Sequence, residues 1–168
     1  MKLFKTNEDV FNFINDVWQD NSCSHVGANL KVISTQKAKQ VLKLSKASPS
    51  TEFLIREEDV ITLVVYEEAF DKLSDLNKLL LVKGLLSTVS YDIDKGKVVI
   101  DNRPYADLFN MRHSTDANGN EYLDAYDNAL ENAAMVIESI EEEERRKKEE
   151  EKEAKRAAKE AKKAAKAQ

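Results

Sequence analysis

The sequence is poor in the two residue types that most often build disulfide frameworks and catalytic zinc sites. Its 168 residues include one cysteine and two histidines. The single thiol, Cys23, excludes an internal disulfide and favours a reducing compartment. His25 and His113 lie 88 positions apart, so they cannot supply two imidazoles one helical turn apart, as a zinc peptidase requires. We therefore expect no zinc-peptidase chemistry.

The sequence also lacks a hydrophobic run long enough to span a membrane. Its most apolar stretch, Leu73–Ser90, contains Lys78, Lys83 and Gly84 and is shorter than the roughly 20 apolar residues that a span needs. The residues after Met1–Lys5 are mainly polar, acidic or amides, whereas a secretory signal would have an apolar region there. We expect a protein with no membrane contact, located in the cytoplasm.

Apolar side chains larger than alanine end at Ile140, so only the chain before that point can build a core. We expect a globular α+β domain over residues 1–140 and a charged, solvated helical tail over residues 141–168. The domain holds 15 basic and 22 acidic residues, a net charge of −7, and the tail holds 11 and 9, a net charge of +2. Because nucleic-acid binding needs clustered cations, the acidic domain is a poor candidate for it.

Two segments dominate the predicted fold. Leu73–Ser90 is expected to form a buried central helix, since it is apolar on most of its circumference. Val60–Tyr66 is the strongest strand, because β-branched residues dominate it. We expect a small mixed sheet packed on the central helix, and one long charged helix from Glu121 to the end. The other predicted elements are a helix over Asn7–Gln19, short strands at Leu30–Ile33 and Val41–Leu44 (with a helix over Thr35–Leu44 as the alternative), a loop at Ser48–Ser50, a hairpin joining Val89–Ile93 to Lys97–Ile100, and a helix from Pro104 through Arg112.

Four segments resemble the metallopeptidase-like, zincin-like family found in bacteriophages. They are Asp59–Val65, Phe70–Asp75, Lys83–Ser87 and Tyr91–Asp92. The similarity of pattern covers residues 29–112, about half of the chain. It implies a phage origin and a zincin-like scaffold whose central helix carries the motif His-Glu-x-x-His.

The sequence departs from that family at the three motif positions. Lys83 stands in place of the first histidine, Gly84 in place of the general-base glutamate, and Ser87 in place of the second histidine. A catalytic zinc needs the two imidazoles and the carboxylate together. The resemblance therefore implies a pseudoenzyme, a degenerate scaffold with no metal site and no cofactor.

Three other groups of polar side chains were candidates for chemistry in principle, and each has a plainer interpretation. Cys23–His25 offers two metal ligands without a third nearby, so a surface loop is expected. Asp116–Asn120 resembles the start of a calcium loop, but its glycine is misplaced and no bidentate glutamate follows. The third group consists of carboxylates at strand ends with no accompanying nucleophile. Its members are Glu57, Glu58, Asp59, Glu67 and Glu68.

The tail is the remaining candidate for binding. From Lys152 onward it has seven cations and two glutamates, a balance that suits an acidic protein surface or, weakly and with salt sensitivity, nucleic acid. The alternative is a solvated helix without a ligand, since each of Glu141–Glu144 precedes a cation by four residues, a spacing that favours an isolated helix. The residues expected to contact a partner are Glu141, Arg145, Arg146, Lys147, Lys148, Lys152, Lys155, Arg156, Lys159, Lys162 and Lys163.

These features predict a non-catalytic interaction protein of phage type. It would bind and modulate a host or phage protein complex, for example transcription machinery or a host protease. Two alternatives stay open. One is a nucleic-acid accessory protein that acts through the basic tail, and the other is a hydrolase whose site the sequence does not reveal.

Overall fold

The computed structural model describes residues 2–20, 27–100 and 122–166, with the side chains of the last range described from residue 124 to residue 157. Three sequence predictions lie outside these ranges. They concern the group Cys23–His25, the helix predicted after Pro104, and the polar loop containing Asp116–Asn120.

A four-stranded mixed sheet forms the centre of the protein. Its strand order is β1-β2-β4-β3, in which β2 and β4 run parallel and the two outer strands run antiparallel to their neighbours. β4 lies inside the sheet and all but one of its residues are buried, as its β-branched composition predicts. The four strands are β1 (Leu3–Lys5), β2 (Asn29–Thr35), β3 (Leu42–Lys46) and β4 (Val60–Tyr66).

A separate hairpin follows the central helix. Its strands are β5 (Val89–Asp92) and β6 (Lys97–Ile100), which pair antiparallel. Gly96 in the turn has a φ of +60°, a conformation that glycine adopts without a steric penalty. The predicted hairpin is confirmed.

Five helices are described, and together with the sheets they confirm the α+β fold with a long C-terminal helix. None of them, within the described ranges, has the length and apolar character required to cross a membrane. They are α1 (Glu8–Asp20), α2 (Pro49–Ile55), α3 (Glu67–Asp71), α4 (Asp75–Leu86) and α5 (Tyr122–Lys166).

The central helix is α4, which is shorter than the apolar stretch that predicts it. Ser74 caps its first turn, since the Ser74 hydroxyl oxygen accepts a hydrogen bond of 3.3 Å from the backbone N–H of Asn77. Leu80, Leu81 and Leu86 are buried in the core, whereas Leu76 in the first turn is 51% exposed. The prediction of burial is therefore confirmed from Leu80 onward and wrong at Leu76, because the first turn extends beyond the core.

The loop predicted at Ser48–Ser50 is wrong, because these residues start helix α2. The Ser48 hydroxyl oxygen accepts a hydrogen bond of 3.2 Å from the N–H of Thr51, and Pro49 occupies the first helical position, where its missing N–H costs nothing. The alternative helix over Thr35–Leu44 is also wrong. Thr35 is the last residue of β2, and Leu42–Leu44 pair with β4 as part of β3.

Helix α5 packs on the domain through a stripe of small and apolar side chains. Seven apolar positions recur at helical spacing along the helix predicted from Glu121, and five of them are buried: Tyr126, Ala129, Ala133, Ile137 and Ile140. Of the other two, Leu130 is 37% exposed, and the side chain of Tyr122 lies outside the described residues. Beyond Ile140 every described side chain of α5 is exposed except Glu144, which is half-buried.

Candidate functional site

The three positions of the degenerate motif lie at the end of α4, and helix α5 covers the middle one. A Cβ atom added to Gly84 would lie 2.6 Å from Cζ and 2.7 Å from Cδ2 of Tyr126. Lys83 is half-buried, and Ser87 follows the last residue of the helix, where its hydroxyl donates a hydrogen bond of 2.7 Å to the Gly84 carbonyl. An aromatic ring thus occupies the space beside the position that the resemblance assigns to a general base.

The carboxylates at the strand ends do not converge on one site. Glu57 pairs with Lys31 at 2.8 Å, and Asp59 pairs with Lys46 at 2.7 Å. Glu68 lies 3.9 Å from Lys72 on the opposite end of β4, where it is exposed. Glu58 is exposed, and no hydrogen bond or ion pair is described for its carboxylate. The described carboxylates therefore form no pair that is placed for acid–base work.

A buried cluster of hydroxyl groups and one carboxylate lies at the carboxyl ends of β2 and β4. The Ser34 hydroxyl donates a hydrogen bond of 2.6 Å to Oε1 of Glu67 and lies 3.0 Å from the hydroxyl of Thr6. The same Glu67 oxygen accepts the backbone N–H of Asn7 at 2.7 Å. Because Ser34 is fully buried, a substrate cannot reach it, and the cluster serves to fasten the start of α1 to the sheet.

Metal ligands do not cluster in the part of the chain that the structure describes. No group of three or more histidine, cysteine, aspartate or glutamate side chains there is placed to hold a metal ion. The possible ligands Cys23 and His25 lie outside the described residues.

The hairpin is tied to the main sheet by a charged hydrogen-bond cluster around Asp59. Oδ1 of Asp59 accepts hydrogen bonds from Nζ of Lys46 at 2.7 Å and from the N–H of Val98 at 3.0 Å. Nζ of Lys46 also donates to the Val98 carbonyl at 2.8 Å. The hydrogen bond from Lys46 is the main reason that the pKa of Asp59 is lowered from its ordinary value of 3.8.

An apolar groove of about 460 Å³ lies between β3, α4 and α5. Leucines from all three elements form its walls, and Leu130 on α5 remains 37% exposed. No acidic residue belongs to the described lining. The side chains that give the groove its apolar surface are Leu42, Leu44, Leu81, Leu85, Leu130 and Ile137.

One wall of the groove is a strand edge whose outward backbone groups have no hydrogen-bond partner among the described residues. β3 pairs with β4 on one side, and no other described strand pairs with its outer side. The N–H of Tyr66 donates to the Val41 carbonyl and the N–H of Ala47 donates to the Val60 carbonyl, both at 2.8 Å. Since paired and unpaired residues alternate in an antiparallel ladder, the backbone groups of Leu42 and Leu44 point away from β4.

Cations occupy the rim of this edge. Lys39 and Lys43 both line the groove and are exposed. The sequence does not predict the groove, although the alternation of Leu42, Lys43 and Leu44 carries a signal for an edge strand. A lysine between apolar residues in a short strand is typical of an edge strand that is protected against aggregation.

The first turn of the predicted tail contacts the domain. Oε2 of Glu144 lies 2.8 Å from Nζ of Lys37, and Glu143 lies 3.7 Å from Lys72. The hydrogen bond from Lys37 is the main reason that the pKa of Glu144 is lowered. Part of the Glu141–Lys148 region, where a partner contact is predicted, is thus engaged with the domain itself.

For the other predicted partner-binding residues of the tail, no hydrogen bond or ion pair to the domain is described. Glu141 is exposed. Arg145, Arg146 and Lys147 are exposed. Lys148 and Lys155 pair within the helix, at 3.4 Å from Glu144 and Glu151 respectively. Lys152 and Arg156 are exposed, whereas Lys159, Lys162 and Lys163 lie on the helix beyond the described side chains.

Three comparisons with known proteins give no match. No protein-family model, no curated protein and no solved structure matches the chain. The resemblance to the phage zincin-like family therefore stays a prediction.

Proposed function

We propose that this protein is a non-catalytic interaction module that binds an extended segment of a partner protein as an added strand along the outer edge of β3. The observation that supports this is the position of the outward backbone groups of Leu42 and Leu44 beside the apolar groove. An exposed strand edge gives affinity through main-chain hydrogen bonds, and adjoining pockets give specificity through alternate side chains.

The groove and its rim define the chemistry of the segment. Alternate side chains of an added strand point to the same face, so every second residue of the segment would enter the groove and should be apolar. The cations Lys39 and Lys43 at the rim favour acidic residues at the neighbouring positions, since complementary charge promotes encounter and fixes register. We expect a partner segment of about five to seven residues in which apolar and acidic side chains alternate.

A hydrolase is the weaker proposal. The carboxylates Glu57, Asp59 and Glu67 are each bound to a different local partner, and the ring of Tyr126 fills the space beside Gly84. The groove itself is lined by leucines and two rim lysines. It offers surface for binding and no described acid–base pair.

The wider setting of the proposal rests on the family resemblance alone. The resemblance implies a bacteriophage protein that acts in the host cytoplasm on a host or phage complex, such as transcription machinery or a protease. Helix α5 supports the proposal in a second way. Its residues Leu130 and Ile137 form one wall of the groove, so the long helix fixes the width of the binding surface.

The proposal is tested by selecting ligands for the full-length protein from a displayed library of random ten-residue peptides. We expect enrichment of peptides with alternating apolar and acidic residues. Binding of a selected peptide should be lost in Leu44→Pro, because proline removes the outward N–H at a position that does not donate to β4.

The matched control is Leu44→Ala, which shortens the same side chain but keeps the N–H. It should bind the selected peptide more weakly than the natural protein and clearly more tightly than Leu44→Pro. Equal binding by the alanine and proline variants, with both folded as judged by circular dichroism, would show that the edge of β3 makes no main-chain contact. Enrichment of peptides without alternation would count against the groove.

A further inference from the structure

The cations in the last part of α5 occupy one face of the helix. α5 extends to Lys166 as a single helix, and successive residues of an α-helix are rotated by about 100°. With that rotation, all seven cations after residue 151 fall within an arc of about 120°. Alanines and two glutamates occupy the remaining circumference. The seven positions, called the basic stripe below, are Lys152, Lys155, Arg156, Lys159, Lys162, Lys163 and Lys166.

The basic stripe opposes the stability of its own helix. Eight pairs of its cations are three or four residues apart, and like charges at those separations destabilise a helix. Glu153 and Glu160 each precede one cation by three residues, namely Arg156 and Lys163, but each precedes an alanine by four residues, where a lysine would form a second favourable pair. The block Glu141–Lys148, in contrast, places every glutamate four residues before a cation. Helix stability therefore explains that block and leaves the basic stripe unexplained.

The described part of the stripe is open to a partner. Every side chain from Arg145 to Ala157 is exposed. The ion pairs described there join residues of the same helix, such as Glu151 and Lys155 at 3.4 Å. Beyond Glu144 the helix continues for 22 residues, or about 33 Å at 1.5 Å per residue.

We propose that the basic stripe binds the phosphate backbone of double-stranded nucleic acid without sequence preference. It spans about 21 Å of helix, a distance over which a duplex presents about 12 phosphates. The stripe has no aromatic residue for stacking on single-stranded bases, and no asparagine or glutamine for reading base edges. Lysine-rich contacts of this kind bind duplexes through charge and counterion release.

The negative charge of the domain explains why the basic stripe lies far along α5. Residues 1–140 have a net charge of −7, and this charge repels phosphates. The segment between Ile140 and Lys152 is about 18 Å long, which exceeds the Debye length of about 8 Å at physiological ionic strength. At that distance the negative charge of the domain is largely screened, so it does not prevent the stripe from binding phosphates. This inference does not rest on the groove beside β3.

The test compares full-length protein with a full-length variant in which three cations are moved off the stripe. The variant combines Lys155→Ala with Ala157→Lys, Lys159→Ala with Ala161→Lys, and Lys162→Ala with Ala164→Lys. Composition and net charge are unchanged, the like-charged pairs fall from eight to four, and Glu153 and Glu160 each gain a cation four residues on. The variant helix should be at least as stable as the natural one, which circular dichroism checks.

The probe is a fluorescent mixed-sequence DNA duplex of 20 base pairs, with polarisation measured across a range of NaCl concentrations. For the natural protein, seven phosphate contacts predict that the logarithm of the association constant falls with log [NaCl] with a slope of about −6. For the variant, the four cations left on the stripe predict a slope of about −4. Affinity at low salt should fall about tenfold or more in the variant. Equal slopes and affinities, or no duplex binding by the natural protein at low salt, would overturn the proposal. Equally tight binding of polyglutamate would also overturn it and assign the stripe to an acidic protein.

Discussion

Gly84 and Tyr126 are packed so closely that the glycine has no room for a side chain. A Cβ on Gly84 would overlap the Tyr126 ring, at 2.6 Å from Cζ and 2.7 Å from Cδ2. Both residues are buried. The contact joins the central helix to the long C-terminal helix, and it thereby positions the wall of the groove that α5 supplies.

Gly84→Ala is expected to destabilise the domain by about 1–3 kcal/mol, the usual cost of overpacking a core. On an unconstrained helix the same substitution would stabilise by about 1 kcal/mol, because alanine has the higher helix propensity. The overlap with the Tyr126 ring reverses that sign. Urea denaturation of the natural protein and the variant measures the difference in the free energy of unfolding.

Repeating Gly84→Ala in two variants of Tyr126 tests whether the Tyr126 ring is the group that the added methyl overlaps. In Tyr126→Phe the ring remains, so Gly84→Ala should be as costly as before. In Tyr126→Ala the ring is gone, so Gly84→Ala should become neutral or stabilising. An undiminished cost in the Tyr126→Ala background would place the overlap elsewhere.

Asp59 is expected to make the stability of the protein sensitive to acid. Its pKa is lowered, mainly by the hydrogen bond from Lys46, so its contribution is fully present above the ordinary value of 3.8 and is lost as the pH falls through the lower folded value. Asp59→Asn keeps a side chain that tolerates the φ of 51° found there. The variant should be less stable by about 1–2 kcal/mol at pH 7 and should lose less stability between pH 5 and pH 2.

Thermal unfolding followed across that pH range distinguishes this effect from general acid sensitivity. Asp71→Asn is the matched control, since Asp71 is exposed on α3. The control should have the same melting temperature as the natural protein at every pH. If Asp59→Asn and the natural protein lose stability in parallel as the pH falls, the cluster of Asp59, Lys46 and Val98 does not contribute in the way described.

Lys37 and Glu144 are expected to hold the start of the tail against the domain between about pH 5 and pH 10. The pKa of Glu144 is lowered and that of Lys37 is raised, each chiefly by their mutual hydrogen bond. The contact is therefore lost as the pH falls through the folded value of Glu144 or rises through that of Lys37. Because both groups lie at the surface, Lys37→Gln and Glu144→Gln should each lower the melting temperature by about 2 °C or less.

A double-mutant cycle tests this contact. The two substitutions together should cost less than the sum of the single effects, and the coupling should disappear in 1 M NaCl, where charges are screened over about 3 Å. Additive effects at low salt would mean that the two side chains do not interact in solution.

The elements with strong local signals could be predicted from the sequence. The β-branched run Val60–Tyr66 forms the inner strand, and the glycine of Asp94–Gly96 marks the hairpin turn. Helix α2 was missed because Ser48 and Pro49 suit both a loop and a helix start. Only the hydrogen bond from Thr51 to the Ser48 hydroxyl decides between the two.

The candidate site was not predictable, because it depends on contacts between distant segments. The sequence shows that Gly84 stands where a zinc helix would carry its glutamate, but not that Tyr126, 42 positions further along, packs against it. The outer edge of β3, which no described strand covers, likewise follows from the strand order, which places β4 beside β2 and β3 at the outside. Local patterns contain neither the order of the strands nor the path of α5.

The decisive measurement is amide hydrogen exchange along β3 by NMR, with and without a selected peptide. In the free protein the amides of Lys43 and Ser45 should exchange slowly, because they donate to β4, whereas those of Leu42 and Leu44 should exchange fast. Peptide binding should slow the exchange of Leu42 and Leu44 by at least about tenfold. A peptide that binds while leaving both amides in fast exchange would contradict strand addition at β3.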